Sequence, residues 1–415
     1  VNKAISEINE IRKLEEENRE EILNPTYIKN KSICSLPFKH IYTDNSGLYK
    51  LCCHGALSDN FTKEWNMQDH DPFEYFESQD MEKIRTQMIN GELVKDCNVC
   101  YEKEKKGAFS DRMKHTRVFR PEDLMFTKRF MELKITLWGN FCNLSCAMCH
   151  PVHSSKRTTE LNQMIPMMSE DLGNGIGEMF DWKGSKTKLT SERRKEIIKS
   201  ICDKSDIIKN ISISSDGEPL QNKNMYDFLA AIPDKDAEHI DITITTNLSE
   251  VEFNEYHLDQ IIEKYPSTTL RVSSDHIEEK YEWIRWPGDF DKLCRNLETY
   301  KDYVFMVSPA VQILNIEDVV EIKLFYESMG MPCFQAGSYS VVRGPRMMSC
   351  GLHSRNAEIA EELKLFDWAS PIVFELEKVL NQPLHMQTKD RRNMEEYLTL
   401  LSKERGDWKT LFGNL

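Results

Sequence analysis

The stretch Cys142-Asn143-Leu144-Ser145-Cys146-Ala147-Met148-Cys149 constrains this chain most, because it sets three thiols on one short loop directly after an apolar run. Three soft ligands in that spacing suit an iron–sulfur cluster, which thiolates hold. With three protein ligands, one iron is left open to another molecule.

A second group of cysteines lies upstream. Cys34 precedes a strand-like run at His40–Tyr42, Asp44-Asn45-Ser46-Gly47 supplies turn chemistry, and a second apolar run ends at Cys52-Cys53. Cys97 and Cys100 follow as a CxxC pair after a polar helical stretch. A hairpin bringing Cys34 near Cys52, together with that pair, closes a four-thiolate site. Such a site holds either zinc or an iron–sulfur cluster, since sequence fixes ligands better than metal. Among the 12 cysteines, Cys202, Cys294 and Cys333 stand alone and read as packed structural thiols.

At 415 residues the chain has room for one large domain and a smaller one. A net charge of −14 argues against nucleic acid as a partner. Clustered rather than scattered cysteines point to metal ligation in a reducing compartment. No apolar run is long enough for a membrane span, and the expected location is the cytoplasm.

In order, residues 1–29 read as a helix, with Ile5, Ile8, Ile11 and Leu14 on one face. Residues 30–106 form the four-cysteine region. The stretch 107–130, with Arg112, Lys114, Arg117, Arg120 and Lys128, reads as a solvated basic linker. From 131 to 345 apolar runs alternate with helical periodicity: Met131–Leu137, Ile207–Ser214, His239–Thr246, Thr269–Ser273, Val304–Leu314 and Pro332–Val342. That alternation predicts an α/β fold whose parallel sheet is wrapped by helices, with functional residues at the C-terminal strand ends. The insertion 164–188, rich in methionine and holding Gly173, Gly175 and Gly177, reads as a lid or a surface loop. Residues 346–415 read as a helical extension capping the core, including helices at 357–365 and 371–380.

The CxxxCxxC loop resembles the signature of the radical S-adenosylmethionine (SAM) superfamily, with Met148 where those enzymes usually carry an aromatic residue. The resemblance implies a partial (β/α)6 TIM-like barrel and a [4Fe-4S] cluster on Cys142, Cys146 and Cys149, with SAM on the fourth iron. It also implies SAM contacts from Gly217, Glu218 and Pro219, which resemble the GGEP motif, and from Asn247 at the end of the third strand. Ser273, Asp275 and Arg285 resemble the residues that hold the ribose and the methionyl carboxylate, and Gln312 lies on the strand that faces adenine. The pattern of Cys34, Gly47, Cys52, Cys97 and Cys100 resembles a SPASM/twitch auxiliary module, here placed before the barrel. That likeness implies a second [4Fe-4S] cluster on the four cysteines.

The implied chemistry is reductive cleavage of SAM to a 5′-deoxyadenosyl radical that abstracts a substrate hydrogen. A peptide or protein substrate is the first expectation, with a small molecule or a non-catalytic, metal-stabilised binding protein as alternatives. A flavodoxin or ferredoxin would supply the electron. Cys53 and Cys350 are spare thiols that could return a hydrogen atom to a product radical.

Overall fold

In the computed structural model, residues 32–55, 61, 64–105, 110–116, 129–180, 189–214, 217–335, 339–342, 344–413 and 415 are described. The helix expected within 1–29 lies outside them.

Strands are numbered in chain order: β1 (His40–Thr43), β2 (Tyr49–Lys50), β3 (Met131–Lys134), β4 (Ile208–Ile213), β5 (Asp241–Thr246), β6 (Glu252–Phe253), β7 (Tyr256–His257), β8 (Thr268–Val272), β9 (Val304–Val307), β10 (Ala310–Val311) and β11 (Ser340–Val341). Seven of them form one sheet in the order β2-β1-β3-β4-β5-β8-β9. From β1 to β9 every pairing is parallel, and only β2 runs against its neighbour.

The hairpin β1–β2 forms as its turn residues dictate. Asp44 accepts hydrogen bonds from the Ser46 and Leu48 amides at 2.9 and 3.1 Å, and Gly47 takes φ +77. A side-chain oxygen closing its own turn, followed by a residue free to adopt positive φ, reverses the chain in this way. β1 then bonds directly to β3, pairing Ile41 with Leu133. One apolar core runs from Cys34, Tyr49 and Phe73 through Leu133 and Ile211 to Ile244 and Leu270. The hairpin is therefore an edge of the main sheet.

Four of the six anticipated core strands are regular, and the two departures have local causes. Pro309, which has no N–H to donate, divides the anticipated Val304–Leu314 strand into β9 and β10. The anticipated sixth strand shrinks to a single bridge from Val307 to Cys333, because Phe334 turns away at φ +53. Its later part, β11, pairs with β10 in a separate two-stranded sheet.

The basic stretch is not a solvated linker where it is described. Asp111–Thr116 is helical, and Arg112 is buried, ion-paired with Glu104 and bonded to the Ile33 carbonyl at 2.8 Å. The glycine-rich insertion is likewise helical over Glu170–Phe180. Leu172 and Ile176 draw it down through a second core, which holds Ala147, Met148, Trp283, Tyr397 and Trp408. The tail forms the expected helices Asn356–Leu363 and Ser370–Leu380 and adds a 22-residue helix, Leu384–Arg405. No helix among the described residues is long and apolar enough to cross a membrane.

Candidate active site

The loop after β3 carries Cys142, Cys146 and Cys149, all free thiols and all half-buried. Its backbone is tied down from several elements. The Ser145 and Ala147 amides donate to Trp286 and Ile284 at 2.6 and 2.8 Å, and Ser154 Oγ donates to the Leu144 carbonyl at 2.9 Å. Beneath the loop, Arg157 donates to the Ala147 carbonyl at 3.1 Å and Tyr397 to the same oxygen at 2.6 Å. Arg405, at the end of the long helix, donates to Ser145 at 2.7 Å and to Trp283 at 3.0 Å. Glu160 lies between the two arginines, paired with both and bonded to Ser145. Two arginines against one acid leave net positive charge under the thiols.

Burial pushes the Cys142 thiol up to about 12, and the nearby Cys146 adds to the rise. Cys149 is raised by burial and then by Cys146 and Cys142, so the three thiols share one locale. The Leu144 amide meets Cys142 Sγ at 3.4 Å, as an amide would support a thiolate. Thiols raised by burial ionise when a metal binds them.

The Gly-Glu-Pro turn after β4 docks on this loop. Glu218 N donates to the Phe141 carbonyl at 2.7 Å and Gly217 N to His153 at 2.9 Å. Gly217 sits at φ +65, where a Cβ would stand 2.1 Å from Phe141 O. Pro219 begins a short 3-10 turn that is buried throughout. The Glu218 carboxylate accepts from Thr246 Oγ1 at 2.6 Å and Asn247 N at 2.7 Å. Asn247 Nδ2 reaches Asn143 at 3.0 Å, so the β5 end is stitched to the cysteine loop. Ser273, at the end of β8, is half-buried and donates its amide to Thr246 at 2.8 Å.

Arg285 and Asp275 form a buried ion pair, Nε to Oδ2, at 2.8 Å. Burial pulls Arg285 down, but Asp275 and Cys146 outweigh it and hold the guanidinium above its usual value. Asp275 also accepts from Ala310 N at 2.7 Å. Its carboxylate thus joins the Arg285 guanidinium to the Ala310 amide. Asn315 links Asp275 O at 2.8 Å to Gln312 N at 2.8 Å. The Gln312 side chain is fully buried, with neither amide atom partnered among the described residues. An orphaned buried amide is costly and marks a place for a polar ligand. The donor set, the glycine turn and this amide therefore fit a cluster with SAM beside it.

The four upstream cysteines also converge. Cys34 senses Cys100, Cys52 senses Cys34, and Cys97 senses Cys34, Cys52 and Cys100. Burial pushes Cys34 to about 11 and Cys52 to about 12. Cys100 lies on the opening turn of Asn98–Lys105, directly after Cys97.

Cys53 is exposed and bonded to His54, whose Nε2 stands 2.8 Å from Asp111. Partial burial alone would raise Cys53, yet His54 and the Lys134 charge outweigh it and leave the thiol below its usual range. Hydrogen bonds that the His54 ring donates to Asp111 and Cys53 raise it to about 10. Cys350 differs, being wholly buried in the main core, where a Cβ on the adjacent Gly351 would stand 2.4 Å from Val379.

Residues 136–325, from the cysteine loop to the helix after β10, match the family described as the radical SAM superfamily. That match spans 190 of the 415 residues. Solved structures similar to this chain include anSMEcpe with bound AdoMet, at 14% identity and TM-score 0.38, over 56% of this chain and 58% of that one. Streptococcus suis SuiB bound to its precursor peptide SuiA gives 14%, TM-score 0.32, and 69% and 47% coverage. SuiB bound to S-adenosylmethionine gives 14%, TM-score 0.35, and 72% and 61%. The chain thus spans about half to three fifths of those proteins' lengths. No curated protein matches it.

Sequence patterns singled out the thiols and the strand-end residues that meet around this loop but missed Arg157, Glu160, Tyr397 and Arg405. Their contacts span up to 260 positions. The only local sign was Arg405-Gly406, a helix stop with Gly406 at φ +84.

Proposed function

We propose that this protein is a radical SAM enzyme that modifies a peptide or protein. The observation that carries it is the convergence of Cys142, Cys146 and Cys149 with Glu218 and Arg285, reached from three different strand ends. A [4Fe-4S] cluster on the three thiols, with SAM bound to it, would supply a 5′-deoxyadenosyl radical for hydrogen abstraction. Glu218 suits the methionyl ammonium of SAM, and Arg285, braced by Asp275, suits its carboxylate through the guanidinium fork. Gln312 would give its unpaired amide to the adenosine end. The buried Arg157–Glu160–Arg405 group holds the loop so that its thiols keep their places.

Cys34, Cys52, Cys97 and Cys100 would hold a second [4Fe-4S] cluster. Among the described residues no three Cys, His, Asp or Glu side chains converge tightly enough for one metal ion. The resemblance of this module to those of peptide-modifying enzymes supports the peptide reading.

Anaerobic reconstitution with iron and sulfide, then reduction in the presence of SAM, tests the proposal. 5′-Deoxyadenosine should form. A colourless protein that leaves SAM intact would refute it.

Glu218 gives a pH signature. Burial raises its carboxyl from 4.5 to about 7, against the hydrogen bonds from Asn247 and Thr246. The folded state then keeps a proton that the unfolded chain releases, so this group's contribution to stability declines from pH 4.5 to about 7 and is flat above. SAM needs the ionised carboxylate, so its affinity should strengthen as pH rises through about 7. Glu218→Gln should weaken SAM binding about tenfold or more, the loss of one charge-assisted bond, and remove that dependence. Equilibrium dialysis between pH 6 and 8 measures both.

A further inference from the structure

β3 alternates buried Met131 and Leu133 with half-buried Glu132 and Lys134, and β8 alternates Leu270 and Val272 with Arg271. In a helix-wrapped sheet the apolar set packs under helices, and the other set faces the barrel interior. Lys134 is the last residue of β3 and Arg271 the penultimate residue of β8, so both stand at the C-terminal mouth of the barrel. Lys134 registers the charge of Arg271 there. Burial lowers Lys134, and Arg271 lowers it further. Burial alone accounts for the lowering of Arg271, whose Nε has no partner.

The nearby acids are engaged elsewhere. Glu132, on the same face as Lys134, is ion-paired with Lys39 at 2.7 Å. Asp275 belongs to Arg285. Among the described residues neither Lys134 nor Arg271 has a carboxylate partner, and their aromatic neighbours are Tyr42 and Phe305, 5.8 and 5.6 Å away. Two half-buried cations without a counter-acid are expensive to keep. A guanidinium laid over a ring leaves its fork free at the edge, and that fork matches a planar carboxylate.

We infer that Lys134 and Arg271 anchor a carboxylate of the substrate in the barrel mouth, with Phe305 against its apolar stem. This rests on the radical SAM reading and deepens it: the modified peptide presents either an acidic side chain or its own C-terminus. Cys53, which Lys134 also faces electrostatically, would then lie beside the anchored residue.

The test uses the reconstituted, unreduced holoenzyme saturated with SAM, so that SAM's own carboxylate is already seated. Calorimetric titration compares three probes: N-acetylglutamate amide, N-acetylalanine with a free C-terminus, and N-acetylglutamine amide as the neutral control. At least one carboxylate probe should bind ten times or more tighter than the control, and the tighter of the two names its source. Lys134→Gln and Arg271→Gln should each weaken that binding at least tenfold. Equal binding of the neutral probe, binding of no probe, or unchanged binding in both variants would overturn the inference. The comparison on the native protein stands even if a variant fails to fold. 5′-Deoxyadenosine formation by the native enzyme is scored separately, and its absence would strike the radical reading alone.

Discussion

Replacing Cys142, Cys146 and Cys149 together by alanine should abolish SAM cleavage while sparing the upstream four-cysteine site. Each thiol sits on a loop held by contacts that do not involve sulfur: Arg157, Tyr397 and Arg405 grip its carbonyls, and Trp286 and Ile284 take its amides. Alanine is smaller than cysteine and introduces no polar group, so the scaffold should survive. Iron should fall from about eight to about four per chain, and 5′-deoxyadenosine should drop to background. Retained cleavage would remove the loop from the chemistry. Loss of all iron would show that the two thiol groups do not fold independently of their metals.

Gly217→Ala should be the most damaging single substitution outside the cysteines. A Cβ there would meet Phe141 O at 2.1 Å and Asn140 C at 2.9 Å, both backbone atoms that cannot swing aside. The left-handed φ adds about 1–2 kcal/mol, and the forced backbone shift about 1–3 kcal/mol. Relief requires pulling the turn from the cysteine loop, which breaks the Glu218 N to Phe141 O bond and displaces the Glu218 carboxylate. Stability should fall by about 2–5 kcal/mol with SAM cleavage nearly lost. Gly175→Ala is the contrast: that helical glycine has open space around it, and the change should gain about 1 kcal/mol. Denaturant unfolding and 5′-deoxyadenosine yield, measured on both variants, check the pair.

The sequence was most legible where local chemistry decides the outcome. Asp44 to Gly47 dictated a hairpin, and apolar runs placed β4, β5 and β8 to within two residues, while β3 stops at Lys134, three residues before the expected Leu137. It was least legible where distant partners decide. Arg112 reads as a solvated charge beside Lys114 and Arg117, yet Glu104 and the Ile33 carbonyl make it an interior residue. Gly173, Gly175 and Gly177 argue against a helix by propensity, and burial of Leu172 and Ile176 overrides them. The arginine at position 405 carries no motif at all; only the fold brings it under Ser145.

β1 lies against β3, so the strand that follows Cys34 and the strand that leads into Cys142 are rungs of one ladder. Among the described residues, that ladder joins the two thiol groups directly. If both hold clusters, the tunnelling path between them has a constant length throughout turnover, and the rate of internal electron transfer is set by driving force and not by any motion of the chain.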